Sequence, residues 1–215
     1  MTTATTTGFT RELREVGTTV DERVRQLQAG YLQDLPGAVA TLAKLRRGAG
    51  KPVEAVPELV GLTIDHGFYQ LFPLEHPRIS DAESAVHEAL TLYALHQQSK
   101  REKGMHRRGR ELGEAVRRLM PPRDIDEPLR KRFVQAQTAH SPEIRLDRIR
   151  SIVTLLRTQD VQLDYGLLAD QLYDARTRAG AERVRRSWGR SFQAYRQREE
   201  VQTDGPDETD TDPAE

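Results

Sequence analysis

Apolar residues recur at spacings of three and four along most of this chain, the periodicity of a helix buried on one side. Leu13, Val16, Val20, Val24 and Leu27 predict a first helix over residues 10–29. DLPGAVATLAKLRRG follows, with Asp34 expected as its N-cap and Gly48 as its stop. Residues 49–79 are rich in proline and glycine and predict a loop-dominated connection with one short helix near Val56–Leu62. SDAESAVHEALTLYALHQQS opens with Ser80 and Glu83 at capping-box spacing and carries an apolar stripe of Val86, Leu90, Tyr93 and Ala94. LGEAVRRLM predicts a further helix closed by Pro121–Pro122, and residues 128–139 a short one. In SPEIRLDRIRSIVTLLR, Ser141 is the expected N-cap and Pro142 the first helical residue, with Leu146, Ile149, Val153 and Leu156 as core face. Asp164 is the expected cap of LDYGLLADQLYDAR, and the last helix is placed over residues 181–198. No segment alternates as a strand does, no glycine-rich phosphate loop appears and no repeat is found. The expected fold class is therefore all-α, a compact bundle of about seven helices.

The organisation expected is a helical N-terminal extension (1–30), a helical domain (31–198) and a disordered acidic C-terminal tail (199–215). A division of the domain into two small helical subdomains, 31–120 and 121–198, is left open. The 215 residues suit one sizeable domain or two small ones. A mean hydropathy of −0.70, and no apolar run near the ~18 residues a membrane span needs, point to a soluble chain. The N-terminus does not read as a signal peptide. Cysteine is absent, which excludes disulfides, thiol catalysis and cysteine-ligated zinc. A cytoplasmic location is the expectation.

Charge changes the picture once the chain is divided. The whole is neutral, with 33 basic and 33 acidic side chains. Residues 1–99 carry 9 basic and 12 acidic groups, residues 100–198 carry 24 and 13, and residues 199–215 carry 8 acidic groups and no basic one. A basic half balanced by an acidic tail points to a polyanionic partner. HRRGRELGEAVRRLMPPR, residues 106–123, holds six arginines against two glutamates. Arg107 is placed to pair with Glu111 and Glu114 with Arg118, leaving Arg110, Arg117 and Arg123 without a local partner. In the last helix Val184, Trp188, Phe192 and Tyr195 share one face, with Trp188 read as core rather than as a base-stacking residue. Arg183, Arg186 and Arg190 share the opposite face with Gln193 and Gln197. Such a one-signed stripe repels itself unless an anion occupies it. Arg130, Lys131 and Arg132 form a third cluster; Arg145, Arg148, Arg150 and Arg157 a fourth. Arg46 and Arg47 end the second helix, where cations also complement the helix dipole. Arginine heavily outnumbers lysine, and guanidinium groups give bidentate phosphate contacts. A groove lined this way binds nucleic-acid backbone largely without sequence preference.

Six histidines raise the question of catalysis or metal binding. None makes HExxH or another recognisable ligand spacing. Asp65–His66 and Glu75–His76 are neighbours in a loop, where adjacent side chains rarely converge, and Ser187 and Ser191 lack a nucleophile motif. No enzyme, no metal site and no cofactor are expected.

PGAVATLAKLRRG, YALHQQS, GRELGEAVRRLM, LRKRF, LDYGLLADQLYDA and VRRSWGRSF occur in this order and together resemble the CasB family, the small subunit of the type I-E CRISPR complex Cascade. The resemblance runs from Pro36 to Phe192 and leaves out the first thirty residues and the acidic tail. It implies an all-helical, non-enzymatic protein present as two copies in the complex. Its implied partners are the backbone and large Cascade subunits, the guide RNA complex, and the target and displaced DNA strands of the R-loop, with no membrane. Residue by residue, Arg46 and Arg47 match the family's basic pair after the second helix. Arg130, Lys131 and Arg132 match the cluster before Phe133, and Arg148 and Arg150 match basic positions of the following long helix. Arg108, Arg110, Arg186 and Arg190 complete the expected nucleic-acid contacts. The rival readings are a helical DNA-binding transcription regulator, which requires base-reading polar residues on a recognition helix, and a pure protein scaffold.

Overall fold

A computed structural model describes residues 12–64, 66–122 and 124–203. Ten α-helices are found among them and no strand: α1 (Glu15–Leu32), α2 (Pro36–Leu45), α3 (Val60–Thr63), α4 (His66–Leu71), α5 (Ile79–Gln97), α6 (Leu112–Arg117), α7 (Glu127–Thr138), α8 (Pro142–Thr158), α9 (Tyr165–Asp174) and α10 (Arg178–Thr203). The all-α expectation holds. The excess over seven includes α3 and α4, two short pieces inside the proline- and glycine-rich connection, preceded by 3₁₀ turns at Val53–Ala55 and Pro57–Leu59. The last helix, expected over 181–198, runs from Arg178 to Thr203, so residues 199–203 of the expected tail are helical, and the acidic residues beyond Thr203 lie outside the described residues.

The centre is α5. Its Ala82, Ala85, Val86, Ala89, Leu90, Leu92, Tyr93 and Ala94 are buried around the whole helix rather than along one stripe, as expected of a helix surrounded by others. Around it pack α1, α2, α8 and α9, while α6 pairs with α10 and α7 with α8. The first helix contributes Val16, Val20, Val24 and Leu27 to this core, all buried as their spacing predicts. Among the described residues no helix is long and apolar enough to cross a membrane.

The caps divide into those that hold and those that move. Ser141 accepts from the Ile144 N–H and Asp164 from the Leu167 N–H, so α8 and α9 start where their sequences say. Asp126 caps α7 through the Leu129 N–H. The capping box at Ser80–Glu83 does not form: α5 begins at Ile79 after Arg78, and Glu83 instead accepts from the Tyr69 hydroxyl at 3.0 Å. Asp34 does not cap α2 either. It sits at φ 56° in the turn, and Leu35 is the boundary residue. The start of α1 is capped from a distance, by Asp170 of α9, which accepts from the Arg14 and Gly17 N–H groups at 2.8 Å each. No local motif announces that contact.

Candidate nucleic-acid interface

Leu42 and Leu45 bury the inner face of α2, which leaves Arg46 and Arg47 exposed at its end. The chain then tightens into a 3₁₀ turn, Arg46–Gly48, whose backbone lies on α5. A Cβ on Gly48 would stand 2.7 Å from Leu59 and 2.9 Å from Thr91. Gly50 follows at φ +82°, a conformation that favours glycine, and the aliphatic stem of Arg150 from α8 lies against it. A Cβ at Gly50 would approach Arg150 Cδ to 2.4 Å. The fold thereby brings Arg150 to the loop carrying Arg46, Arg47 and Lys51, about a hundred residues away in sequence.

The patch continues past Arg46, which lines a small recess of about 190 Å³ with Gln98 and Arg101. Arg157, two turns beyond Arg150 on α8, donates to Gln98 Oε1 at 2.7 Å. Arg101 stacks on the Tyr31 ring at 4.5 Å and pairs with Asp34. Lys100 pairs with Asp160 at 2.5 Å. Among the described residues Arg46, Arg47 and Arg150 have no carboxylate partner. Lys51 and Arg101 belong to no basic cluster visible in the sequence, and Arg157, a member of the α8 cluster, is not among the expected contacts. Their proximity depends on the packing of α8 against α5 rather than on any local spacing.

The other expected positions are distributed. Arg148 is exposed but lies across the solvent arc of α8 from Arg150, since two residues turn a helix by roughly 200°. On α7, Arg130 pairs with Glu127 at 2.8 Å, while Lys131 and Arg132 are exposed without a carboxylate partner among the described residues. On α10, Arg186 and Arg190 are likewise exposed, whereas Arg183 reaches Asp174 at 3.6 Å. Trp188 is core, 1% exposed, and donates to Gln171 Oε1 at 2.7 Å. The basic surfaces therefore offer charge and donors without a stacking contribution from Trp188, which suits backbone rather than base recognition.

Arg108 and Arg110 are engaged within the fold, Arg110 buried and Arg108 half exposed. Arg108 makes two bonds to the buried carboxylate of Asp21. Arg110 is buried, donates to Gln162 at 3.3 Å and lies 3.6 Å from Glu114. Burial, then the charges of Arg118 and Arg107, push its guanidinium down to about 10. The expected Glu114–Arg118 pair forms at 3.0 Å. Glu111, expected to meet Arg107, instead accepts from Gln171 and Ser187. Arg123 lies outside the described residues.

Asp21, His106 and Asp164 converge in the interior, with one oxygen or nitrogen of each within 4.8 Å of the others. Their ligand atoms are already engaged by protein partners. His106 Nε2 meets Asp21 Oδ1 at 3.0 Å and its Nδ1 accepts from the Tyr165 N–H at 3.1 Å. Asp21 is also held by Arg108, and Asp164 accepts from the Gly109 and Leu167 N–H groups. Burial opposes ionisation of Asp21, but the Arg108 bond and the neighbouring charges outweigh it and hold its carboxyl below the usual range. Burial pushes His106 down, so a neutral imidazole bridges the two segments. This is a joint between α1, the 105–110 segment and α9.

Comparison with known proteins follows the same lines. The family model for the CRISPR-associated protein Cse2 matches residues 41–192. No curated protein sequence matches the chain. The crystal structure of CasB from Thermobifida fusca is 58% identical, covering 84% of this chain and 99% of that one, with a TM-score of 0.78. CasB from M. ruber is 26% identical over 84% of this chain and 98% of its own, with a TM-score of 0.60. A chain of a CRISPR RNA-guided surveillance complex shares the fold at a TM-score of 0.65 and 19% identity, covering 88% of this chain and 99% of that one. With the family model spanning most of its length and a majority of residues shared with a solved CasB, the chain belongs to the CRISPR-associated Cse2 (CasB) family.

Proposed function

We propose that this chain is the non-catalytic small subunit of a type I-E CRISPR surveillance complex and holds the DNA strands of the R-loop, the displaced strand above all, through its arginine surfaces. The observation that carries the reading is the approach of Arg150 to the loop carrying Arg46 and Arg47, three exposed guanidinium groups that pair with no carboxylate among the described residues. Lys131 and Arg132 on α7, Arg186 and Arg190 on α10, and Arg130 and Arg148 supply further exposed cations elsewhere on the surface. Arg110, which is buried, and Arg108, which Asp21 already binds, are left out. Family membership and the fold shared with a surveillance-complex chain support the assembly. Contacts of this kind read phosphates, so sequence choice belongs to guide–target pairing. R-loop formation is nearly balanced in energy, and a few backbone contacts suffice to tip it.

The test is reconstitution of the complex with wild type and with an Arg46→Ala/Arg47→Ala/Arg150→Ala variant, measuring target binding across a salt series. Losing three phosphate contacts lowers the slope of log K against log salt by about 2 to 3. Normal assembly with an unchanged slope would remove this patch from the role and favour a scaffold.

A further inference from the structure

A cleft of about 660 Å³ opens on another side of the fold, where the α7–α8 corner meets the α9–α10 corner. Its charged lining is Arg145, Arg176, Arg178 and Arg185, with His140, against one lining carboxylate, Glu182. The two floor residues are already committed. Arg145, 5% exposed, donates to the Ala139 carbonyl at 2.7 Å and the Ala175 carbonyl at 3.2 Å, the open ends of α7 and α9. Those carbonyls are neutral acceptors, and the nearby Glu88 carboxylate offsets only part of its charge. Burial and then the Arg176 charge both push the Arg145 guanidinium below its ordinary value. Arg176 pairs with the buried Glu88, whose own ionisation burial opposes, pushing it up to about 7. The rim residues are exposed. Arg178 is 97% exposed and forms a long pair with Glu182 at 3.9 Å, and Arg185 is exposed with no carboxylate partner among the described residues.

Four guanidinium groups around one concavity face only two carboxylates, the buried Glu88 below and Glu182 at the rim, and this excess of positive charge attracts an anion. The helix ends act in the same sense. Arg145 satisfies the carbonyl ends of α7 and α9, while α8 and α10 both begin beside the cleft, α8 with its first turn already capped by Ser141 and Glu143. The lining includes no Phe, Tyr or Trp, so nothing there recognises a nucleobase by stacking on a large aromatic ring. The volume lies within the range of small-ligand pockets. We propose that this cleft is a binding site for a compact phosphate-class polyanion, held by Arg178 and Arg185 at the rim over the Arg145–Arg176 floor. The ligand is either a free di- or oligophosphate or phosphate groups of a chain.

The experiment is calorimetric titration of the full chain with inorganic pyrophosphate at fixed ionic strength. The expected result is saturable one-site binding, weakened at least about tenfold in an Arg178→Ser/Arg185→Ser variant through loss of charge-assisted bonds. Both side chains are exposed, so the variant keeps the fold, which circular dichroism checks. The Arg46→Ala/Arg47→Ala/Arg150→Ala variant is expected to bind pyrophosphate as wild type does. An abasic phosphodiester strand then separates the sources: if it displaces pyrophosphate, the site takes chain phosphates, and if not, a free ligand. No saturable heat would overturn the proposal. So would loss of binding in the triple variant with full retention in the double one. The site does not depend on the R-loop reading, and the two sets of variants fail separately.

Discussion

At the scale of single residues, the interior contains polar groups whose bonds are made across long stretches of chain. Asp21 is fully buried and joined to His106 and Arg108, more than eighty positions away. Replacing it with Ala removes the acceptor of a buried imidazole and of a guanidinium that is half exposed and can return to water. Asp21→Ala is therefore expected to destabilise the fold by about 2–4 kcal/mol, measured by urea unfolding. His96 is buried against the Tyr165 hydroxyl at 2.9 Å, and burial pushes it down to about 3. The unfolded chain takes up this proton near pH 6.5 while the native protein refuses it. The stability due to a neutral His96 is full above pH 6.5 and drains as pH falls from there toward 3, by about 1.4 kcal/mol per unit. His87 and His106, also lowered by burial, act in the same direction. Glu88, raised to about 7, acts in the opposite one. A His96→Gln variant should lose stability less steeply than wild type, by about one proton, between pH 6.5 and 4. Parallel curves for the two proteins would show that His96 does not titrate as described.

At the scale of elements, close approach decides more than propensity does. Where α6 crosses α10, a Cβ on Gly113 would stand 2.0 Å from the Trp188 carbonyl oxygen and 2.9 Å from the Phe192 nitrogen. The obstacles are backbone atoms of a helix fixed by the buried Trp188 and by Phe192, whose ring stacks on Phe133 at 5.6 Å. Gly113→Ala must push the two helices apart, at a cost of about 2 kcal/mol or more. Gly37 is the internal control: it lies in α2, and its Cβ would meet nothing within 4 Å. Gly37→Ala is expected to stabilise by about 0.5–1 kcal/mol, because alanine loses less backbone entropy on entering a helix. Thermal unfolding of the two variants should move the midpoint in opposite directions.

At the scale of the molecule, neutrality is the sum of a basic half and acidic residues beyond α10. Six carboxylates lie between residues 204 and 215, with no basic group. Their removal takes the formal charge from 0 to +6, the six negative charges being lost. A chain ending at Thr203 is expected to bind single-stranded DNA several-fold more tightly than the full chain at low salt. The difference should vanish toward about 1 M salt, where charges are screened within roughly 3 Å. Equal affinities at every salt concentration would show that these carboxylates do not weaken DNA binding.

The all-helical class, the positions of α7 to α10, the caps at Ser141 and Asp164 and the burial of Trp188 were legible because each rests on periodicity or on a bond within four residues. The capping box at Ser80 and the cap at Asp34 had the right residues and failed. The same side chains found tertiary or turn roles, and Asp170 capped α1 from across the core. Arginine-rich segments were legible as such, yet one arginine looks like another in sequence. Packing alone separated the buried Arg110 and Arg145 from the exposed Arg46 and Arg150, because burial depends on which elements a side chain meets. It also joined Arg150 to the Gly50 loop and Arg145 to two helix ends. Local spacing thus determined the elements and the sign of the charge, while the placement of that charge was decided by contacts between residues far apart in the chain.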